Sequence, residues 1–323
     1  MSTSDQPFST NFQQAEISSN LNSSMLLNYL MGIYTLVYAG TLFIYSSNKA
    51  THANRRIVLS AISVLYLLCF VQFVVQWYSI DLDVVINGDT RESIFFSTVE
   101  GGPKWLWVFA NVPFYASFVA SDGLLIWRCY HVWGRSFRVI SVLLILLLAE
   151  FGLFVTATIL EGLSHRLTSG ANTSAALFNS LTSALVFVSL ATTVTTSLLI
   201  GYRIYSVARL NGQPSKRLFK HIVVLVIESA AVYSFVLLLD AVFAVIPSFN
   251  LVGSPLYQAG YFVDAVLIVV PGMAPTVLVA RIAVTNSNYT VEPTITHISN
   301  LHFESQQGSM RGRSANVTID RRR

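Results

Sequence analysis

Seven long apolar stretches constrain this chain more than any other feature of its sequence. They run approximately over residues 25–45, 57–78, 105–127, 139–160, 175–200, 221–246 and 258–280. Each is long enough to cross about 30 Å of hydrocarbon as a helix that rises about 1.5 Å per residue. Hydrophobic residues make up 53% of the chain and charged residues 11%, which leaves too little polar surface for a water-soluble bundle. The sequence therefore predicts an all-α integral membrane protein, a bundle of seven transmembrane helices.

The positions of the basic residues predict the orientation of this bundle. The first, third and fifth gaps and the carboxyl-terminal side hold 17 of the 20 Lys and Arg residues, whereas residues 1–24 hold none. Basic residues close to a span tend to stay on the cytoplasmic side of a membrane. We therefore expect the amino terminus outside and the carboxyl terminus in the cytoplasm. The plasma membrane and an endomembrane both fit this prediction.

The predicted topology divides the chain into three parts. Residues 1–24 are rich in Ser, Asn and Gln and predict an extracellular polar tail without a cleavable signal peptide. Residues 25–284 form the predicted seven-helix domain. Residues 285–323 are polar with a basic end and predict a disordered cytoplasmic tail. Among the gaps only the second, 79–104, is long. Its excess of acidic residues predicts a solvated loop, and the alternative is that its net negative charge attracts a cationic ligand.

Two sequons on the predicted outer side make the chain a candidate glycoprotein. Asn22 and Asn172 each begin an Asn-x-Ser/Thr motif there. Two further sequons, at Asn288 and Asn316, lie on the predicted cytoplasmic side. We expect the inner pair to remain unmodified.

Five acidic side chains lie inside the predicted spans, where ionisable residues are rare and are commonly functional. Two of them, Asp240 and Asp264, fall in the outer halves of spans six and seven. They are the candidate ligand-binding residues, because their carboxyl groups can receive an amine or a hydroxyl group. If they lie close together, one of the two is expected to keep its proton. The alternative is that each carboxyl only bonds a neighbouring helix.

The other three acids are candidates for inner polar or ion-pair contacts. Asp122 and Glu228 fall in the inner half of the bundle, and Glu150 lies near the middle. Arg128 and Arg203, near the cytoplasmic span ends, are the expected ion-pair partners of the two inner acids. A structural ion pair and a conformational lock both fit these residues.

Four small hydroxyl residues recur on one face of the fifth span. Ser189, Thr192, Thr193 and Thr196 follow the i, i+3, i+4, i+7 spacing of a helix face. Small hydroxyl residues commonly pack against neighbouring helices in membranes, and the same face is also suited to line a polar cavity. Both interpretations remain open at this point.

The sequence predicts no metal or cofactor. All four Lys lie in gaps, so no span offers an amine for a retinal Schiff base. All six His lie in gaps, tails or at span ends, so no intramembrane His cluster predicts a metal site. The expected partners are the lipid bilayer, a small-molecule ligand or lipophilic substrate and a cytoplasmic signalling protein. We expect no nucleic acid partner.

Three segments carry a resemblance to a known family. Residues 121–140 (SDGLLIWRCYHVWGRSFRVI), 227–239 (IESAAVYSFVLLL) and 271–284 (PGMAPTVLVARIAV) resemble segments of a large family of seven-span membrane proteins from mushroom-forming fungi. The resemblance extends over roughly residues 25–284. It implies a fungal multi-pass membrane protein with a receptor-like layout, and it carries over no ligand, reaction or functional residue.

Two main function classes follow from these observations. A heptahelical receptor would bind a small ligand in an outer cavity and pass a shift of span six to the basic fifth gap, residues 203–220. A membrane-embedded enzyme, similar to the small seven-span terpene cyclases, would instead use a buried carboxyl group as a general acid on a lipophilic substrate. An accessory protein of fungal secondary metabolism belongs to the same class. We favour the receptor-like function over an enzyme, and a transporter or channel is the third alternative.

Overall fold

The structure is a computed structural model that describes residues 9–47, 53–100, 103–164, 171–210, 213–245 and 254–296. All regular secondary structure in these ranges is helical. The α-helices are α1 (Thr10–Ser47), α2 (Ala53–Asp81), α3 (Arg91–Glu100), α4 (Lys104–Val132), α5 (Phe137–Ser164), α6 (Ala171–Leu210), α7 (Gln213–Val245) and α8 (Pro255–Thr296). A short π-helical segment, Leu82–Ile86, continues α2. The helices up to Val284 form one compact unit, and the last turns of α8 belong to a second.

Six helical segments of the described chain are long and apolar enough to cross a membrane. They are Thr10–Ser46, Arg56–Ile86, Trp105–Val132, Phe137–Leu160, Asn179–Ser206 and Pro255–Val284. The chain is therefore an all-helical protein suited to pass through a membrane several times. The predicted sixth span is helical as α7. Its crossing of the membrane and the orientation of the bundle stay predictions.

The outward faces of these helices are apolar. Leu36, Phe43, Leu148 and Leu198 are each at least 68% exposed. A water-soluble protein rarely exposes so many large apolar side chains on its helices, whereas a lipid environment favours them. The exposed surface therefore supports the assignment to a membrane.

The first helix begins at Thr10, within the segment for which the sequence predicts a polar tail. Polar side chains on one face of this segment are buried, among them Gln13, Glu16 and Asn20. The hydroxyl groups of Ser23 and Ser24 donate hydrogen bonds to the Asn20 carbonyl at 2.8 Å and 2.9 Å. The extra turns of α1 thus belong to the packed bundle.

The second gap is also largely helical, so the prediction of a solvated loop was wrong for most of it. Phe12 of α1 packs edge to face against the buried Phe95 of α3, with ring centroids 5.7 Å apart. Arg91 Nε donates a hydrogen bond to Gln13 Oε1 at 3.3 Å. Helix α3 therefore packs against the amino-terminal turns of α1 and covers this end of the bundle.

Helices α1, α2 and α8 meet closely around Gly272. The side chains of Tyr34 and Cys69 are buried there, together with Ile268 one turn earlier on α8. A Cβ atom at Gly272 would lie 2.6 Å from Tyr34 Oη and 2.9 Å from Cys69 Sγ. The absence of a Cβ atom at Gly272 therefore lets the side chains of Tyr34 and Cys69 lie close to the backbone of α8.

Candidate functional site

Three carboxyl side chains lie toward the end of the bundle that carries the amino terminus. Asp240 of α7 and Asp264 of α8 lie close enough to interact electrostatically. Glu16 of α1 faces the phenol of Tyr261 and the amide of Gln258, both on α8. We call Glu16, Asp240 and Asp264 the acidic cluster. The sequence prediction placed the two aspartates at similar depth, and the structure adds the glutamate.

The members of the acidic cluster differ in accessibility. Asp264 is exposed at the surface of the described chain, and Asp240 is partly exposed. Glu16 is fully buried, and among the described residues neither of its carboxyl oxygens has a partner at hydrogen-bond geometry.

Two tyrosines share a helix face with Asp264. Tyr257, Tyr261 and Asp264 follow an i, i+4, i+7 spacing, which places them on one side of α8. The two phenol rings are edge to face with centroids 5.6 Å apart. Within the described chain no salt bridge neutralises any carboxyl of the acidic cluster. The arrangement combines acidic and aromatic side chains, which is the chemistry that attracts an organic cation.

A second group of polar side chains lies deeper, between α4, α5 and α6. Asp122 of α4 is fully buried, and its two carboxyl oxygens accept hydrogen bonds from Ser189 at 2.7 Å and Thr193 at 2.6 Å, both of α6. Glu150 of α5 is also fully buried and faces Asp122. In the part of the chain that the structure describes, neither carboxyl oxygen of Glu150 has a hydrogen-bond partner. Two carboxyl groups therefore meet in the interior of the bundle.

Tyr233 of α7 and Ser121 of α4 complete this second group. Both hydroxyl groups are buried without a hydrogen-bond partner in the described ranges, and Tyr233 lies near both carboxyl groups. The same two residues line a cavity of about 20 Å³ that extends to Pro275 and Leu278 of α8. Such a cavity holds about one water molecule. We call the six residues the deep polar cluster: Ser121, Asp122, Glu150, Ser189, Thr193 and Tyr233.

The hydroxyl face of α6 serves two purposes. Ser189 and Thr193 bind Asp122, whereas Thr192 and Thr196 donate to carbonyl groups of their own helix at 2.8 Å and 2.6 Å. All four side chains are fully buried. The face thus both packs against neighbouring helices and forms one wall of the deep polar cluster.

The basic residues near the inner span ends have partners other than the predicted ones. Arg128 donates through Nη2 to the Pro275 carbonyl at 3.3 Å instead of pairing with Asp122. The Arg203 guanidinium lies over the Trp133 ring, 5.3 Å from its centroid. The prediction that these arginines pair with the inner acids was therefore wrong.

Glu228 forms its ion pair with a different arginine. Its Oε2 atom lies 2.6 Å from Arg281 Nη1, so the pair joins α7 to α8. Both side chains are about half exposed. The position of Glu228 within its span predicted a basic partner. It did not predict that this partner lies on α8.

The two sequons predicted to lie on the outer side are at helical positions. Asn22 is exposed on α1, and its amide donates to Ser18 Oγ at 3.1 Å. Asn172 falls in the first turn of α6, with its side chain outside the described part. Asn316 also lies outside the described residues. Glycosylation of Asn22 and Asn172 stays a prediction.

Sequence reasoning missed Glu16, Tyr233 and the pair Tyr257 and Tyr261. For Glu16 a signal was present, because the polar residues of the amino-terminal segment recur at helical spacing. For the tyrosines no signal distinguished them from the apolar residues around them. Only the packing of helices shows which aromatic hydroxyl groups face a carboxyl group.

Relatives of known function would be an independent source of evidence on both clusters. The resemblance to seven-span fungal proteins concerns three segments and stays a prediction. Comparison of the chain with protein-family models, with curated proteins and with solved structures finds no match in any of the three.

Proposed function

We propose that this multi-pass membrane protein is receptor-like and binds a small organic cation at the acidic cluster. The observation that carries the proposal is that Asp240 and Asp264 lie within electrostatic reach of each other, at the end of the bundle that also holds Glu16, with no salt-bridge partner among the described residues. Carboxyl groups in a site of low dielectric repel one another strongly. A bound cation removes this repulsion, so the site favours an amine or a quaternary ammonium group.

The aromatic residues of the site support the same ligand class. The rings of Tyr257 and Tyr261 lie on the helix face of Asp264. The face of a phenol ring attracts a cation, most strongly where water is excluded. A ligand whose cationic group carries small apolar substituents therefore fits better than a neutral or anionic one.

Helices α7 and α8 connect the acidic cluster with the opposite end of the bundle. Asp240 and Asp264 lie toward one end of the two helices, and the Glu228–Arg281 ion pair lies toward the other. From Asp264 to Arg281, helix α8 rises by about 25 Å at about 1.5 Å per residue. A ligand that changes the distance between α7 and α8 at the acidic cluster thereby alters the geometry of this ion pair. The expected receiver is a cytoplasmic signalling protein at residues 203–220.

The enzyme alternative has less support. Its general acid would be a buried carboxyl group such as Glu150. The cavity beside the deep polar cluster measures about 20 Å³, which is far below the several hundred Å³ of a typical ligand pocket. A lipophilic substrate does not fit there, so we retain the receptor-like proposal.

A binding assay on the full chain in lipid nanodiscs tests the proposal. The probes are primary amines and quaternary ammonium ions, each paired with a neutral analogue of the same shape, such as choline with 3,3-dimethyl-1-butanol. We expect cations, but not their neutral analogues, to raise the thermal unfolding midpoint. Asp264→Asn and Asp240→Asn should remove the response, and Asp89→Asn, at an exposed acid outside the cluster, should keep it. Equal responses to cations and neutral analogues would overturn the proposal.

A further inference from the structure

The deep polar cluster has a chemistry that the proposed ligand site does not use. We infer that it binds a small monovalent cation of the Na⁺ class at the junction of α4, α5, α6 and α7. The inference is independent of the acidic cluster. It rests on unpartnered buried oxygens, on two carboxyl groups without a basic partner and on the small cavity that Ser121 and Tyr233 line.

Four oxygen atoms of the cluster are buried without a partner among the described residues. They are both carboxyl oxygens of Glu150, the hydroxyl oxygen of Ser121 and the hydroxyl oxygen of Tyr233. All three side chains are at most 2% exposed. Buried polar groups in folded proteins almost always have a hydrogen-bond partner or bind an ion. A proton between the two carboxyl groups would satisfy one contact, whereas the proposed cation would offer a partner to the carboxyl and hydroxyl oxygens together.

The two carboxyl groups of the cluster also lack a basic counterpart in the described part of the chain. The hydrogen-bond donors to Asp122 are the hydroxyl groups of Ser189 and Thr193. The nearest basic residue along α4, Arg128, donates to a backbone carbonyl of α8 instead. Acidic groups inside a membrane protein are normally paired. Two means of compensation remain among the described residues, a proton shared by the two carboxyl groups and a bound cation, and the test below separates them.

The ligand atoms select the type of cation. Every candidate ligand is an oxygen, which disfavours metal ions that prefer nitrogen or sulfur. The described chain contains no group of three or more His, Cys, Asp or Glu residues placed to hold a metal ion together. Ca²⁺ takes six to eight oxygens and Mg²⁺ retains several waters, but the cavity holds about one water. Two carboxyl groups and two hydroxyl groups, with one water, fit Na⁺.

The test measures thermal unfolding of the full chain in nanodiscs, in NaCl and in KCl at equal ionic strength. We expect Na⁺ to raise the unfolding midpoint in a saturable manner, because it binds only the folded state. Glu150→Gln and Asp122→Asn should remove the difference between Na⁺ and K⁺. Tyr233→Phe and Ser121→Ala, which keep the carboxyl groups, should raise the half-saturating Na⁺ concentration by about tenfold. These milder variants keep the test informative if a carboxyl variant fails to fold.

Two control variants show whether a Na⁺ response arises at the deep polar cluster. Thr192→Val alters a buried hydroxyl of α6 that bonds only its own helix, and it should leave the Na⁺ response unchanged. The Asp240→Asn/Asp264→Asn double variant should also retain it. Equal midpoints in Na⁺ and K⁺, with stability that depends on pH alone, would overturn the inference in favour of a shared proton. A Na⁺ response that persists in Glu150→Gln would overturn it as well.

Discussion

Glu228 and Arg281 join α7 to α8 through an ion pair of 2.6 Å. The same two helices carry Asp240 and Asp264, whose carboxyl groups lie within electrostatic reach of each other toward the opposite end. The helix pair therefore has an ion pair near one end and two acidic groups without a basic partner near the other. In the proposed receptor, a cationic ligand would bind between the two acidic groups and change the distance between α7 and α8. The geometry of the Glu228–Arg281 ion pair would then change as well.

Breaking the ion pair is expected to have a small effect on stability. Because Arg281 is 46% and Glu228 55% exposed, Glu228→Gln should lower the free energy of unfolding by at most about 1 kcal/mol. The charge swap Glu228→Arg/Arg281→Glu should recover most of this loss. A double-mutant cycle on thermal unfolding in detergent measures the coupling. Additive effects of the two single charge reversals would contradict an interaction between the side chains.

Removing the hydroxyl groups that bind Asp122 is expected to cost more. Thr193→Val keeps the shape of the side chain but deletes a 2.6 Å hydrogen bond to a buried carboxyl group. We expect a loss of about 1.5–3 kcal/mol in unfolding free energy, as for other bonds to charged groups. Thr192→Val is the matched control, because Thr192 donates to its own helix, and it should cost less than half as much. Equal losses would show that the hydrogen bond to Asp122 contributes no more stability than the intrahelical hydrogen bond of Thr192.

Gly272 provides a test of the packing of α1, α2 and α8. Gly272→Ala would place a methyl group 2.6 Å from Tyr34 Oη, and it should lower the free energy of unfolding by about 1–3 kcal/mol. Gly40→Ala, on α1, adds a methyl group with no atom within 4 Å and should be neutral or slightly stabilising. Thermal unfolding midpoints of the two variants give the comparison. An unchanged midpoint for Gly272→Ala would show that Tyr34 can move aside without cost.

The apolar stretches predicted most of the fold because a span has a fixed length and a uniform composition. The sequence did not predict the amino-terminal turns of α1. Their residues Gln13, Glu16 and Asn20 are buried against the protein, but they are polar like the residues of a tail. The apolar stretches did not predict helix α3 either. A short amphipathic helix that packs on other helices has no need of an apolar run.

The sequence predicted how deep each candidate residue lies along its helix, but not which residues it contacts. Depth placed Asp240 and Asp264 at the same level, where the structure brings them within electrostatic reach. It also suggested Arg128 as the partner of Asp122, although Ser189 and Thr193 are the actual partners. Which face of a helix meets which neighbour depends on tertiary packing, and a single sequence carries little information about it.

Glycosylation gives a separate test of the outer side. If the gap before α6 is external, Asn172→Gln should remove a glycosidase-sensitive shift in apparent mass. Asn316→Gln is the control at the predicted cytoplasmic tail and should leave the mobility unchanged. Modification at Asn316 would contradict the predicted orientation.

The number of membrane crossings decides the relative position of the two termini. Six helices of the described chain satisfy the length and composition of a span, and α7, with its apolar stretch 222–239, is the predicted seventh. Six crossings would place both termini on the same side of the membrane, whereas seven would place them on opposite sides. The distribution of Lys and Arg favours the second arrangement, with the carboxyl terminus in the cytoplasm.

Epitope accessibility distinguishes these two arrangements. With seven crossings, we expect an epitope at the amino terminus to be accessible on intact cells and one at the carboxyl terminus only after permeabilisation. A third epitope between Asn87 and Thr90, in the turn before α3, should behave like the amino-terminal one. Accessibility of both termini on the same side would contradict seven membrane crossings.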